Sequence, residues 1–266
     1  MNPLQPLVED PKEAAGSLPE PLRRLYGGGL HLAPDAVYAN FVTSLDGVAA
    51  LSAPGGGPAA LSGRSEADRL VMALLRARAD AVVIGASTMR EDPGHLWTPA
   101  YIHPASAAAL AEIGPEPELV VVSSGGEIDP GERALAGRAL ILTSPQGRSR
   151  LRGRVSSGVE LVDLGPPPFA AAAMVEALRA RGHRRILTEG GPHLLASLLR
   201  ERVLDELFLT FSPVLAGRDP GEIRQGLIEG VRLLPEAGIW AGLKSLRRQG
   251  SHLFLRYDLR PPTEPR

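Results

Sequence analysis

The chain has 266 residues, enough to bury a full core, and its 29 basic against 30 acidic side chains leave a formal net charge of −1. That balance, with aromatic residues at 4%, argues against a nucleic-acid or anionic-membrane binder. The absence of cysteine excludes disulfides, thiolate metal sites, iron–sulfur ligation and thiol nucleophiles.

Residues 1–34 are rich in proline and glycine and show little periodicity, so they read as an extension draped over the fold or a partly ordered tail. No leader-like basic and apolar regions are visible, and no stretch approaches about 18 consecutive apolar residues. A soluble cytoplasmic protein is expected. From Ala36, AVYANFV reads as a strand ending in Thr43-Ser44-Leu45-Asp46-Gly47, followed by a glycine-rich loop over 52–63. SEADRLVMALLRARA (65–79) predicts an amphipathic helix with Ser65 as N-cap and Leu70, Leu74 and Leu75 on its apolar stripe. DAVVIG (80–85), ELVVVSS (118–124), RALILTS (138–144) and GVELVDL (158–164) read as strands, and FAAAAMVEALRARG (169–182) as a helix closing on Gly182.

ILTEGGPHLLASLL (186–199) predicts a buried strand, a glycine turn and a helix with Pro192 at its first position. A helix start of that kind offers free backbone N–H groups and a positive dipole end, a seat for phosphate. DELFLTF adds a strand, and GLKSLRRQGSHLFLRYDLR reads as an antiparallel hairpin turning at Gln249-Gly250-Ser251. Strands interleaved with helices imply an α/β fold whose mostly parallel sheet is covered on both faces and edged by the hairpin. One domain over residues 35–262 is expected.

Asp46, Thr88 and Asp92 (in GASTMREDP), Ser123 and Ser124, and Glu189 all fall at carboxyl ends of parallel strands, where one crevice collects them. Each also has a plain structural reading: an Asp-Gly turn for Asp46, a helix cap for Thr88, a loop start for Ser123 and Ser124. Arg76 reads first as a solvated helix residue. No G-x-G-x-x-G is present, and six scattered histidines show no ligand spacing, so no metal is expected.

Taken in order, TSLDG (43–47), LSGRSEADRLVMALLRARADAVVIGAST (61–88), EDP (91–93), LVVVSS (119–124), LTEGGPHLLASLLRERVLDELFL (187–209) and PVLAG (213–217) resemble the reductase domain of riboflavin biosynthesis. That domain is the C-terminal half of bifunctional deaminase-reductase proteins. The resemblance runs from about residue 36 to 258. It implies a dihydrofolate reductase-like α/β/α fold, a homodimer, and hydride transfer from NADPH to the ribosyl C1′ of a pyrimidine intermediate. By similarity, Gly190, Gly191, Pro192, His193, Leu194 and Leu195 cradle the NADPH pyrophosphate. Thr88 and Asp92 line the cofactor site, and Ser123 or Ser124 lies near the adenosine ribose phosphate. Glu189 and Arg76 match substrate-contacting positions, with Asp46 and Glu189 the implied catalytic pair. The chain departs from the family where a Leu-Thr-Val-Arg segment, whose Arg holds the substrate phosphate, is replaced by GHLWTP (94–99). The 52–60 loop lacks the family's Trp, and no deaminase signature is present. Reduction of a pteridine in the manner of dihydrofolate reductase, and a non-catalytic NADPH-binding protein, stand as alternatives.

Overall fold

The computed structural model describes residues 1–14, 16–51, 58–219 and 224–260, so the loop core 52–57 and the end of the expected domain, 261–262, lie outside the described residues. Twelve strands are present among these: β1 (Gln5–Glu9), β2 (Val37–Thr43), β3 (Val48–Leu51), β4 (Ala81–Gly85), β5 (Glu118–Ser123), β6 (Ala139–Thr143), β7 (Val159–Asp163), β8 (Ile186–Thr188), β9 (Glu206–Phe211), β10 (Arg224–Gly226), β11 (Gly242–Gln249) and β12 (His252–Asp258). Ten form one sheet in the order β1-β11-β12-β9-β2-β8-β4-β5-β6-β7, and β3 pairs with β10 in a small second sheet.

All neighbours from β9 to β7 are parallel, and β12, β11 and β1 are antiparallel to their neighbours. Central strands such as VYANFVT and ALILT are apolar and buried on both faces, as parallel strands roofed by helices must be. Their side chains alternate between two cores. Val82 and Ile84 face one with Leu70, Leu74 and Leu75 of helix Glu66–Arg78. Ala81 and Val83 face the other with Met174 and Leu178 of helix Ala171–Arg179 and with Leu195, Leu198 and Leu199 of helix Pro192–Arg200. Ser65 caps the first of these helices as expected, accepting from the Asp68 N–H at 3.3 Å.

The N-terminal segment is no tail. β1 adds an edge strand beyond the hairpin, with Gln5 opposite Arg248 and Val8 opposite Leu246. Leu4, Leu22, Tyr26 and Leu30 enter the first core. Helix Glu20–Tyr26 ends on Gly27 at φ 77°, where any Cβ would lie 2.2 Å from the Leu4 carbonyl oxygen. Buried Arg247 ties strand to helix by pairing with Glu9, donating to the Tyr26 carbonyl at 3.1 Å and covering its ring at 4.1 Å. The hairpin is thus an inner element rather than the sheet's edge.

His103, 4% exposed beyond helix Pro99–Ile102, meets no hydrogen-bond partner at either ring nitrogen among the described residues. Burial holds its pKa below the ordinary value. A depressed folded-state pKa means stability is full above about pH 6.5 and falls as acid drives a proton onto the ring. His103→Leu should therefore flatten the loss of stability between about pH 6.5 and 5 in urea denaturation, while an unchanged acid slope would assign that loss to other groups.

Candidate functional site

β8 lies between β2 and β4, with Thr188 opposite Ala39 on one side and Val83 on the other. The Glu189 N–H extends the ladder to the Val83 carbonyl at 3.0 Å, placing its side chain just past the carboxyl end of the central strand. The chain then turns through Gly190, where a Cβ would meet the Leu194 side chain at 2.4 Å. Gly191, the N-cap of helix Pro192–Arg200, is capped by no side chain. A Cβ added there would meet only the Thr88 hydroxyl, at 4.0 Å. The space before this helix start is therefore open, bounded by Thr88, and suited to an anion seated on the backbone.

Pro192 and Leu195 are buried, Leu194 is half-buried and His193 is exposed. Leu195 belongs to the core, so it can serve a ligand only through its backbone. Thr88 lies on helix Ala86–Glu91, whose N-cap is Gly85 rather than the Ser or Thr expected as its cap. The two serines divide. Buried Ser123 accepts from the Glu127 N–H at 3.2 Å and so stabilises the turn, whereas Ser124 is exposed.

Arg76 is not solvated. It is 1% exposed, and all five of its N–H groups have acceptors. Nε and Nη2 grip Glu189 at 3.1 and 2.7 Å, Nη1 donates to the carbonyls of Leu96 (3.3 Å) and Thr98 (3.4 Å), and Nη2 also reaches His95 Nε2 at 3.3 Å. Arg76 holds Glu189, whose side chain remains 8% exposed, and the 94–99 loop. Asp92 pairs with His95 Nδ1 at 2.7 Å.

Asp46 does stand at the carboxyl edge, but its two oxygens accept from the Ala216 N–H at 3.0 Å and the Gly217 N–H at 2.8 Å. Its carboxyl pKa is lowered to about 2 by the Ser44 hydroxyl and then the Ala216 amide. These contacts clasp the TSLDG turn to the PVLAG loop, so Asp46 positions those loops. A carboxyl that sequence reasoning passed over has the opposite character. Asp68, 6% exposed in the first turn of helix Glu66–Arg78, has its pKa raised to about 6 by burial, with the Thr210 hydroxyl opposing the shift and Glu189 adding to it. It was legible only as a helix-start acid, because its burial depends on β9 and on His252 of β12, far along the chain.

No group of three or more His, Asp or Glu side chains that could hold a metal occurs among the described residues, nor any helix long and apolar enough to cross a membrane. The profile of the RibD C-terminal domain family matches residues 35–241. The chain belongs to the RibD C-terminal domain family. A 2,5-diamino-6-ribosylamino-4(3H)-pyrimidinone 5′-phosphate reductase of Methanothermobacter thermautotrophicus is 28% identical over 234 residues, 84% of this chain and 98% of that protein. One of Archaeoglobus fulgidus, with the same name, is 28% identical over 170 residues, 60% of this chain and 74% of that protein. Among solved structures, a pyrimidine reductase-like protein of Corynebacterium diphtheriae matches with a TM-score of 0.66 at 23% identity, over 96% of this chain and all of that one. The deaminase/reductase of Thermotoga maritima matches with a TM-score of 0.64 at 16% identity, over 85% of this chain and 57% of that one, and shares the RibD reductase-domain fold.

Proposed function

We propose that this RibD-family chain is an NADPH-dependent reductase of a ribosylaminopyrimidine 5′-phosphate, converting the ribosyl group to a ribityl chain. The observation that carries this reading is the open helix start at Gly190-Gly191, facing Thr88 and lying beside a carboxylate held by Arg76. Both archaeal relatives carry the name of such a reductase. Bound NADPH supplies a hydride to C1′, and the adjacent nitrogen gains one proton. The chain's own groups provide the rest. Gly191, His193 and the first turn of the helix would hold the pyrophosphate of the cofactor, with Thr88 and Ser124 as further contacts. Glu189, fixed by Arg76, orients the pyrimidine. Asp68, buried in the first turn of its helix with its carboxyl pKa raised to about 6, is the proton source. Leu45 and Leu215, apolar and exposed on the loops joined by Asp46, offer a contact surface for the cytoplasmic homodimer we adopt as the working form, which light scattering would check.

Trp97, buried 4.7 Å from the His95 ring, reports on the site. Titration with NADPH should quench its fluorescence, and turnover should follow on either the 2,5-diaminopyrimidinone phosphate or the aminouracil phosphate. No quenching at millimolar NADPH would sink the proposal. Gly191→Val should leave the fold intact, since φ is −66° and the site is open, yet weaken NADPH binding on the order of a hundredfold. Equal affinity would move the pyrophosphate elsewhere. Reduction of dihydrofolate is the second reading, favoured because 94–99 has no cation and Arg76 has no donor left for a substrate phosphate.

A further inference from the structure

The GHLWTP loop replaces an arginine-bearing segment, and its histidine does something the composition of the loop does not announce. Helix Glu66–Arg78 sends Arg76 up beneath the loop, and the guanidinium has five N–H donors in fixed directions. Four of them are met by charge or carbonyl: Nε and one Nη2 hydrogen by Glu189, both Nη1 hydrogens by Leu96 and Thr98. The fifth points at His95 Nε2, 3.3 Å away. That contact is a hydrogen bond only if Nε2 carries no proton. The ring's other nitrogen lies 2.7 Å from an Asp92 carboxylate oxygen, which accepts and cannot donate when ionised. One form alone satisfies both ends, the neutral imidazole with its hydrogen on Nδ1.

We propose that His95 is a positioning residue for Glu189: as the neutral Nδ1–H tautomer it supplies the last acceptor of Arg76, and through Arg76 it fixes the carboxylate at the carboxyl end of β8. This rests on the reading that Glu189 faces the substrate. Protonation would put an N–H against the Arg76 N–H and a second positive charge beside a buried guanidinium. The groups that face the ring are Asp92 from its own turn, Arg76 from the helix below and Glu189 from the end of β8, with the Trp97 and Tyr101 rings at 4.7 and 4.9 Å. Burial and then Arg76 hold the imidazole pKa below its ordinary value, the two carboxylates opposing. The neutral form therefore prevails at neutral pH, and the site loosens only in acid.

The test uses the full chain with His95→Gln and His95→Leu. A glutamine amide reproduces both contacts, accepting from Arg76 through oxygen and donating to Asp92 through nitrogen, but it does not titrate. Leucine offers neither contact. In nitrogen-15 NMR of the unliganded protein, the wild type should show the Nδ1–H tautomer at pH 7 and a slowly exchanging Arg76 Nη2–H. That Arg76 signal should survive in His95→Gln and be lost in His95→Leu. With pyrimidine substrate, the wild-type kcat should fall as acid protonates His95. His95→Gln should lose that limb and stay within about threefold of wild type at pH 7. His95→Leu should lose on the order of ten- to a hundredfold in kcat with a smaller change in KM. An Nε2–H tautomer, a charged ring at pH 7, or a protected Arg76 signal in His95→Leu would overturn the proposal. So would an acid limb unchanged in His95→Gln, which would belong to another group; a limb from Asp68 as proton donor would fall on the alkaline side. The NMR arm reads the hydrogen-bond chain alone, so a protein that keeps it yet reduces no pyrimidine would refute the substrate reading and not the role of His95 toward Arg76.

Discussion

Arg76→Met should lower the free energy of unfolding by about 3–5 kcal/mol at pH 7, far beyond what a charge on a helix surface would cost. The loss follows from what is left behind. Glu189, its side chain 8% exposed, keeps a negative charge with its bidentate partner removed, and the Leu96 and Thr98 carbonyls lose their donors. The second substitution is the informative one. Glu189→Gln added to Arg76→Met removes the stranded charge, so the double variant should regain most of the lost stability and give a coupling energy of several kcal/mol in the cycle. Guanidinium denaturation of the four proteins measures it. Single-variant losses below about 0.5 kcal/mol, with simple additivity, would return Arg76 to the solvated-surface reading.

Asp68→Asn should lower kcat on the order of a hundred- to ten-thousandfold without destabilising the fold. The split comes from the same burial. Because the folded-state pKa is raised to about 6, above the unfolded value near 4, the folded protein holds the extra proton between those values. Stability from this group is present below about pH 4 and is lost as pH rises through about 6. An uncharged asparagine removes that loss, so the variant should be as stable as wild type or more so at pH 7, while having no acidic proton to deliver. Stopped-flow oxidation of NADPH and urea melts, run on one preparation, decide it. A kcat within about threefold of wild type would leave Asp68 a structural acid and place the proton source elsewhere.

What could be read in advance was whatever one segment decides for itself. The doubled glycine and Pro192 mark a helix start from local chemistry, and the apolar spacing of Leu70, Leu74 and Leu75 names the buried face of its helix. Residues whose role depends on distant partners were not readable in that way. Leu4 and Leu22 show no period because they bury in a core assembled from many separate elements, and the pairing of β1 with β11 leaves no trace in QPLVE. Buried Arg76 is the instructive case. It lies between Leu75 and Ala77 in a helix with buried residues on nearly every side, and a helix apolar nearly all round is an enclosed one. A charge within it then demands a buried partner, which Glu189 provides from 113 positions away. The Asp46 turn was placed correctly at the sheet edge, while its hold on Ala216 and Gly217 required the PVLAG loop to be seen beside it.

The pairing of residues 5–9 with 245–248 has a consequence for how the molecule is made. During synthesis the first strand emerges more than two hundred residues before its partner, at about 5–20 residues per second. Glu9, half-buried in the folded chain, must wait unpaired until the ribosome has delivered Arg247. Closure of so long a loop is slow, and it comes last. The nascent chain therefore carries an unsealed sheet border for most of its translation, the period in which a chaperone would have most to protect.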